Sequence, residues 1–487
     1  MIKNIKDSWI TKKGRYPEKI VQFGEGNFLR GFVDWQVDRM NKKAGFKSSI
    51  AVVQPRANGS VHKLNEQNGL YTLFLQGIKD GKAVREHTVI EAVSRGIDPY
   101  EQYGEFLKLA ENPDLRFIVS NTTEAGIAYD PEDIRTDTSP KSFPGKLTVL
   151  LYQRYVHFKG SSDKGVIIIP CELIDRNGEE LKKIVYRYSD LWHLESGFLT
   201  WLEESNVFCS SLVDRIVPGF PKDSINAITE ELGYEDRLVV VGEQYHLWVI
   251  EGPEWLASEL PVKEAGLNTL IVDDMTPYRT RKVRILNGAH TALTPVSYLC
   301  KKETVGEAML DKQIGEYVRG LIYEEIIPTL DLPQEELIDY ANDIIDRFLN
   351  PYITHYVMDI SLNSISKFKT RDLPTLLEFS EQKGSLPQKL VFSFSALLYF
   401  YKGKRGEELI SLRDDKQIIT FFEEQWNTVD ESRASLYSFV VSVLREKTLW
   451  EQDLSGITGF ADTVTDYLML IEKSGMRSAL QACMEKE

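Results

Sequence analysis

Short apolar runs recur through the first half of the chain, and each has about the length of one buried strand. Between them lie stretches with the three-to-four-residue apolar spacing of helices. Continuous apolar strands that alternate with helices are typical of a mostly parallel sheet covered on both faces. The pattern therefore predicts an α/β domain of the Rossmann type. The apolar runs are residues 19–23, 49–53, 116–120, 165–170 and 237–241.

Beyond about residue 275 the pattern changes, because apolar positions recur with helical spacing and strand-like runs become rare. We therefore expect a Rossmann-type dinucleotide-binding domain at 1–274 and a mainly α-helical substrate and catalytic domain at 275–487. An active site between two such domains is expected. The predicted helices of the second domain are 281–301, 305–327, 334–349, 387–401, 416–426 and 431–446.

A glycine-rich turn follows the first apolar run and leads into a predicted helix that ends near residue 43. Strand, glycine turn and helix together form a phosphate cradle, because glycine lets the backbone approach the ligand and the helix N-terminus favours its negative charge. The GxGxxG fingerprint is incomplete, since its third glycine would fall at Leu29. The residues expected to contact a dinucleotide here are Phe23, Gly24, Gly26, Asn27, Phe28 and Arg30.

Two further strand ends are candidate cofactor contacts. The second run ends in Gln54-Pro-Arg56, where NAD-binding proteins usually place an acid for the ribose hydroxyls, and no acid stands there. Arg56 could accommodate a 2′-phosphate, which leaves NADP open beside NAD, or it could be an exposed loop residue. Thr123 and Glu124 follow the third run, in a loop that is either a second cofactor contact or an ordinary polar turn.

Lys282, Asn287 and His290 fall in one short stretch of the helix predicted at 281–301. At about 100° per residue, their offsets of five and eight place the three side chains within an arc of roughly 140°. Reduction of a ketone builds negative charge on its oxygen, so such a site needs hydrogen-bond donors and a proton donor. An amine, an amide and an imidazole on one helix face can meet both needs, although a basic helix face is more often solvated.

Three arginines, Arg279, Arg281 and Arg284, flank the lysine. A lysine donates a proton at working pH only where burial or nearby positive charge lowers its pKa. The arginines could supply that charge, could bind an anionic substrate, or could project to solvent and pair with surface acids.

Composition excludes several classes of protein. The chain has 487 residues and a formal net charge of -15, which argues against nucleic acid or an anionic membrane as the main partner. Residues 1–19 are polar and lack the apolar core of a signal peptide, and no apolar run has the length of a membrane span. Cysteines and histidines lack metal-like spacing, so we expect no metal site and a reducing, cytoplasmic setting.

Two motifs together give a specific resemblance. Gly24-x-Gly26-x-Phe28-x-Arg30-Gly-Phe32 and Lys282-x4-Asn287-x2-His290 stand in this order, about 250 residues apart. The pair resembles the polyol-specific long-chain dehydrogenase family, which includes mannitol 2-dehydrogenase. The resemblance covers most of the chain, including the Thr123-Glu124 turn and residues 243–251 and 347–351.

The resemblance implies a zinc-independent, NAD-dependent enzyme with a Rossmann-type domain followed by a helical domain. It implies that Lys282 is the general acid or base, that Asn287 donates to the oxyanion and that His290 binds substrate hydroxyls. A second oxyanion asparagine comes from the larger domain in relatives. Asn177 is the candidate here, although relatives often have Asp-Asn where this chain has Glu172-Leu173.

The substrate expected from the resemblance is a sugar acid. Lys367 lies in a segment similar to one from which relatives contact substrate, with Lys369 as a near neighbour. Some relatives have a glutamate where this chain has Arg279, which removes a possible carboxylate relay. Arg279 and Arg284 would suit a carboxylate better than a neutral polyol.

Within the family, residues 22–30 and 170–178 are most similar to enzymes that act on tagaturonate. The resemblance therefore implies reversible reduction of tagaturonate to altronate with NADH, in hexuronate catabolism. Two alternatives stay open: reduction of fructuronate or oxidation of a polyol such as mannitol, and a nucleotide-binding regulator without catalysis. The sequence does not indicate an oligomeric state.

Overall fold

In a computed structural model, the chain forms two compact units. The N-terminal unit comprises Met1–Gln76 and Val84–Met275, and the C-terminal unit comprises Gly77–Ala83 and Thr276–Glu487. The expected α/β N-terminal part and helical C-terminal part are confirmed. The structure describes residues 2–9, 16–79, 81–123, 125–430 and 432–485.

The N-terminal part of the chain carries most of the strands. They are β1 (Lys3–Asn4), β2 (Glu18–Phe23), β3 (Ser49–Val53), β4 (Tyr71–Lys79), β5 (Lys82–Ile90), β6 (Val93–Ile97), β7 (Phe117–Ser120), β8 (Ile167–Pro170), β9 (Val207–Phe208), β10 (Ser210–Asp214), β11 (Tyr234–Glu235), β12 (Val240–Glu243), β13 (Leu247–Glu251) and β14 (Thr269–Val272).

Six of these strands form one parallel sheet in the order β6-β3-β2-β7-β8-β9. From β2 the chain adds β3 and β6 on one side, and it then adds β7, β8 and β9 on the other, so the strand order reverses between β2 and β7. Ligands of such sheets bind at this switch point, outside the carboxyl ends of the strands. Phe23 pairs with Val53 on one side and with Ser120 on the other. The glycine turn after Phe23 therefore starts at the switch point.

Both faces of this sheet are buried, as continuous apolar strands predict. Ile50 and Val52 belong to the core cluster on one face, and Ala51 and Val53 belong to the cluster on the other. The helices of this part of the chain are α1 (Ile5–Ser8), α2 (Asn27–Gly31), α3 (Val33–Lys43), α4 (Val61–Glu66), α5 (Tyr103–Lys108), α6 (Phe143–His157), α7 (Asn177–Leu191), α8 (Ser196–Ser205), α9 (Ile225–Leu232) and α10 (Leu256–Glu259), with 3-10 turns at Leu109–Glu111 and Ser162–Lys164.

The smaller sheets show where the apolar pattern was insufficient. The run at 237–241 corresponds to β12, which pairs in parallel with β4 in a separate three-stranded sheet with β5. An apolar run predicts a buried strand but not the sheet that the strand joins. The β5 strand was not predicted, because most of its side chains are exposed and it has no apolar run. The other small sheets are β10-β13-β14 and β1-β11.

The C-terminal part of the chain is mainly helical. Its helices are α11 (Thr276–Arg281), α12 (Ala289–Leu299), α13 (Val305–Leu310), α14 (Lys312–Gly320), α15 (Gln334–Phe348), α16 (Val357–Ile360), α17 (Ser364–Arg371), α18 (Leu373–Lys383), α19 (Gln388–Phe400), α20 (Lys416–Trp426), α21 (Arg433–Arg445), α22 (Lys447–Trp450) and α23 (Phe460–Glu485), with π-helical segments at Lys282–Gly288 and Leu321–Ile326, a 3-10 turn at Ile327–Thr329 and a small hairpin of β15 (Lys404–Arg405) and β16 (Glu408–Leu409).

The centre of the C-terminal unit is α19, which packs against α12 and α23. Its side chains are buried almost all round, as expected of a central helix. The Ser393 hydroxyl donates to the Ala292 carbonyl at 3.0 Å and so joins α19 to α12. Helix α17 packs against both α12 and the π-helix at Lys282–Gly288. Among the helices that the structure describes, none has the length and apolar character needed to cross a bilayer.

Candidate active site

The glycine turn is fixed by a close backbone approach at the switch point. The Gly24 amide donates to the Val53 carbonyl at 3.0 Å, and Gly24 has φ +122°. A Cβ on Gly24 would lie 2.8 Å from the Asn121 carbonyl oxygen. A side chain would therefore clash here and would also strain the backbone, so glycine is required for the turn to close.

Gly26 provides the space that a dinucleotide needs. It precedes α2 as its N-cap and adds no capping side chain, and a Cβ built on it would meet nothing within 4 Å. The start of α2 therefore has open space beside Gly26, as a bound pyrophosphate would require.

The neighbouring side chains shape this turn. The Arg30 guanidinium is buried and donates to the Glu25 carbonyl at 3.2 Å, to the Leu238 carbonyl at 2.5 Å and to Asn27 Oδ1 at 2.6 Å. Phe23 is fully buried in the core, which leaves its backbone as the part nearest a ligand. Phe28 stacks on Phe32, with ring centroids 5.0 Å apart. The side chains of Arg30 and Phe23 therefore stabilise the turn from within the fold.

An acid lies beside the end of β3, although it follows another strand. Gln54 is buried, and its amide donates to Asp98 Oδ2 at 3.1 Å. Asp98 follows β6, the strand next to β3 in the sheet. Gln54 Oε1 accepts from the Val61 amide at 3.3 Å, which ties it to the start of α4.

Arg56 and Thr123 meet at this edge of the sheet. The Arg56 guanidinium donates to Thr123 Oγ1 at 3.2 Å, and Thr123 has a positive φ of 93°. Positive φ is strained for a β-branched residue, and such strain is concentrated at functional sites. Glu124, predicted as a cofactor contact, lies outside the described residues. A cavity of about 560 Å³ lies beside Arg56 and is lined by Arg56, Ala57, Tyr100, Thr138, Ser139 and Lys141.

A buried lysine orients the aromatic wall of this cavity. Lys146 donates to the Tyr100 hydroxyl at 2.9 Å and to the Lys141 carbonyl at 2.8 Å. Burial lowers the pKa of Lys146 to about 8. The cavity has the size and the mixed polar and aromatic lining of a small-molecule site, and it fits the adenosine end of a dinucleotide.

The segment that carries Lys282 and Asn287 is π-helical, which changes the predicted arc. The π-helix spans Lys282–Gly288. Its backbone hydrogen bonds join residues i and i+5, so side chains five positions apart lie one above the other. Lys282 and Asn287 are five apart, and both are partly exposed. They therefore lie closer to one face than the spacing of an α-helix predicts.

His290 lies on the first turn of α12 in a partly buried aromatic setting. Its ring centroid is 4.2 Å from that of Phe348 and 4.8 Å from that of His355. Its Nε2 is buried and has no hydrogen-bond partner among the described residues. Burial lowers the pKa of His290 well below its ordinary value, with smaller contributions from His355 and from the cations of Arg347, Arg371 and Lys367. A neutral imidazole with a free nitrogen suits a substrate hydroxyl.

Two cations of α17 lie near this imidazole. Lys367 Nζ donates to the Ile360 carbonyl at 2.7 Å. The Arg371 guanidinium donates from one nitrogen to Thr291 Oγ1 at 3.2 Å, beside His290 on α12. Burial lowers the pKa of both Lys367 and Arg371. Lys369, the near neighbour in sequence, instead pairs with Glu451 at 2.7 Å.

The arginines nearest Lys282 in sequence interact with other residues of the fold. Arg284 donates to Glu378 at 3.0 and 3.1 Å and to Thr375 at 2.9 Å, and its side chain is buried. Arg281 pairs with Glu336 at 2.5 Å. Arg279 lies in the last turn of α11 and is partly exposed. Arg284 therefore has a carboxylate partner of its own.

Asn177 is committed to the backbone around it. Its amide nitrogen lies within hydrogen-bond distance of the carbonyls of Pro170, Glu172 and Ser211, at 2.9–3.1 Å. Its Oδ1 accepts from the Ser211 amide at 2.8 Å, and the residue is fully buried. Both amide hydrogens are thus used, so this arrangement offers no donor to a substrate oxygen. The role of Asn177 that the structure supports is to join β8 to β10.

Asp98, Tyr100, His355 and Arg371 were missed in the sequence. Asp98 and Tyr100 follow directly on a strand, so a strand prediction at 93–97 would have found them. Arg371 lies one helical turn after Lys367, and this spacing was a usable signal. His355 lies in a loop, with no local pattern to mark it. Within the described residues, no group of three or more His, Cys, Asp or Glu is placed to hold a metal ion.

Comparison with known proteins gives matches along both parts of the chain. The profile of the mannitol dehydrogenase Rossmann domain matches residues 18–264, and that of the mannitol dehydrogenase C-terminal domain matches residues 274–471. A relative named altronate oxidoreductase, from Bacillus subtilis (strain 168), is 55% identical over 484 residues, which cover 99% of this chain and 98% of the relative.

Two solved structures share the fold. A substrate-free D-sorbitol dehydrogenase aligns with a TM-score of 0.76 at 21% identity, over 96% of this chain and 95% of that chain. The mannitol 2-dehydrogenase of Pseudomonas fluorescens, solved with NAD and D-mannitol, aligns with a TM-score of 0.63 at 21% identity, over 97% of this chain and 95% of that chain.

Proposed function

The chain belongs to the mannitol dehydrogenase family, and from this we propose that it catalyses the reversible, NAD-dependent reduction of tagaturonate to altronate. One observation carries the choice of substrate: near-full-length similarity, at 55% identity, to a relative named altronate oxidoreductase. The cations around His290 support a substrate that carries a carboxylate.

NAD fits the N-terminal unit. The open space over Gly26 would take the pyrophosphate, and the cavity beside Arg56 and Tyr100 would take the adenosine. Asp98, held by Gln54, would accept from the ribose hydroxyls and so replace the acid that the end of β3 lacks. When bound, the reduced nicotinamide supplies hydride to the keto carbon.

The C-terminal unit supplies the groups that act on the keto oxygen. Lys282 donates a proton to that oxygen as the alcohol forms, and it takes the proton back in the reverse direction. Asn287, stacked near Lys282 on the π-helix, donates a hydrogen bond to the same oxygen as negative charge develops. The neutral His290 binds a substrate hydroxyl through Nε2.

The other residues predicted to contact the substrate differ in how available their side chains are. Lys367 and Arg279 stay candidates for the substrate, since both are partly exposed. Arg284 is better suited to hold the π-helix against α18, because it already pairs with Glu378. Asn177 has no proposed role in the reaction, because its amide already bonds to buried backbone groups. The four cysteines are free and buried, which is compatible with the proposed reducing, cytoplasmic setting.

Initial-rate kinetics test the proposal. Tagaturonate, fructuronate and fructose are each reduced with NADH and with NADPH, and kcat/KM is compared. We expect tagaturonate with NADH to give the highest value by at least tenfold. Preference for fructuronate would indicate the sister reaction, and comparable turnover of fructose would reject a carboxylate requirement. NADH binding without turnover of any of the three would indicate a regulator.

A further inference from the structure

The surroundings of His290 are unusually cationic for a partly buried site. Three cations, Arg347, Arg371 and Lys367, act on the imidazole, and each lowers its pKa. Positive charge in a low-dielectric site is stabilised by a partner of opposite sign. The arrangement therefore favours an anionic ligand beside His290.

Arg371 is the cation with most capacity left for such a ligand. One guanidinium nitrogen donates to Thr291, and no other hydrogen bond or ion pair from this side chain reaches a described residue. A guanidinium has five N–H donors in a planar fork, so one edge can still receive a carboxylate in bidentate fashion. The contact with Thr291 also fixes the fork beside the helix turn that carries His290.

Among the described residues, no acid forms an ion pair with Arg371. Asp372, the next residue, is buried, and burial raises its pKa well above its ordinary value. Asp414 accepts from the Tyr401 hydroxyl and from the amides of Ile365 and Asp415. Lys367 lies four residues before Arg371 on α17, so both cations project from the same side of the helix.

We infer that Arg371 is the specificity-determining residue that binds the substrate carboxylate, with Lys367 beside it as a second cation. The inference rests on the proposed function and adds to it a residue outside the family motif. It transfers the role expected of Arg284 to a cation that forms no ion pair with a carboxylate among the described residues. Arginine suits this role better than lysine, because a planar fork matches both carboxylate oxygens.

The test compares an acid with its neutral analogue in Arg371→Gln. Tagaturonate and tagatose differ in having a carboxylate or a hydroxymethyl group at one end of the molecule. Loss of a charge-assisted bidentate contact should lower kcat/KM for tagaturonate by roughly 10–100-fold, mainly through KM. Turnover of tagatose, which lacks the carboxylate, should change by less than about twofold. Arg371→Lys should recover part of the loss, because it keeps the charge and loses the fork.

Lys369→Gln is the matched control, since it removes a cation from the same helix that pairs with the exposed Glu451. It should leave both substrates unaffected. The inference is overturned if Arg371→Gln impairs both substrates equally, or if it impairs neither. A thermal unfolding midpoint like that of the unmodified protein shows that Arg371→Gln is folded. If Arg371→Gln does not fold, the same two substrates are compared in Arg371→Lys. Failure of the unmodified protein to reduce tagaturonate would reject the proposed function instead.

Discussion

Lys282 and Asn287 are the residues on which the proposed chemistry depends most directly. Both lie on the π-helix, where a spacing of five places one above the other. Formation of the alcohol requires a proton donor, whereas binding of the substrate and the cofactor does not. A substitution of the proton donor should therefore separate the effect on rate from the effect on binding.

Replacement of the proposed proton donor should affect the rate and spare binding. For Lys282→Ala we expect kcat with tagaturonate to fall by about 10²–10⁴-fold, the range for loss of a general acid. The dissociation constant for NADH, measured by fluorescence titration, should stay within about threefold, because the proposed cofactor site lies in the N-terminal unit. Lys383→Ala, at an exposed position in the last turn of α18, is the control. Full activity of Lys282→Ala would reject the assignment.

Asn177 should behave as a structural residue. Asn177→Ala leaves the Ser211 amide and up to three carbonyls without their buried partner, so unfolding free energy should fall by about 2–4 kcal/mol. The kcat of the folded variant should change by only a few-fold. Asn206→Ala is a matched case, because Asn206 also bridges buried backbone groups. A hundredfold loss of kcat with unchanged stability would instead identify Asn177 as an oxyanion donor.

At the scale of elements, the proposed cofactor site is a junction of three strand ends. The turn after β2, the end of β3 and the end of β7 meet at the switch point of the sheet. Gly24 and Gly26 do different work in this junction: the first allows close packing of backbone on backbone, and the second leaves space for the ligand.

The two glycines should therefore fail in different ways. Gly24→Ala places a Cβ 2.8 Å from the Asn121 carbonyl at φ +122°, so we expect it to lower the unfolding free energy by about 2 kcal/mol or more. Gly26→Ala meets nothing within 4 Å and should fold normally. It should still weaken NADH binding by about tenfold or more, because its methyl group occupies the space of the pyrophosphate. Unchanged NADH affinity of Gly26→Ala would place the cofactor elsewhere.

Across the whole molecule, each unit buries a carboxyl group that holds its proton near neutral pH. Burial raises the pKa of Asp34 from 3.8 to about 7, against the hydrogen bond from Tyr71, and raises that of Glu325 from 4.5 to about 7. The folded protein thus retains protons that the unfolded chain releases above its own pKa values. The stability due to these protons is complete below about pH 4 and is lost as pH rises toward about 7.

Neutral amides should remove this pH dependence. In urea unfolding between pH 5 and pH 8, Asp34→Asn and Glu325→Gln should each flatten the fall in unfolding free energy, by up to about 1.4 kcal/mol per pH unit below pH 7. The Lys389 and Leu390 amides donate to different oxygens of Glu325, so Glu325→Gln keeps an acceptor for one of them and loses the other. This lowers the stability by a constant amount and leaves the expected change in slope. Curves that run parallel to that of the unmodified protein would contradict the raised pKa values.

The sequence by itself determined the features that depend on neighbours along the chain. Strand runs such as 49–53, the glycine turn and long amphipathic helices such as 334–349 follow from short-range periodicity and backbone sterics, and the structure has them at nearly the same residues. The Lys282, Asn287 and His290 motif was likewise visible, because its three residues lie within nine positions.

Only the tertiary structure decided which polar groups are already paired. Gln54 meets Asp98 across 44 residues, Arg371 meets Thr291 across 80 and Arg284 meets Glu378 across 94. These partners are set by how strands and helices pack, which no local pattern encodes. The π-helix that realigns Lys282 with Asn287 is also outside the α-helical period from which the arc was predicted. The residue type of an arginine or an asparagine indicates which groups it can bind. Whether its side chain is available for a ligand depends on long-range packing.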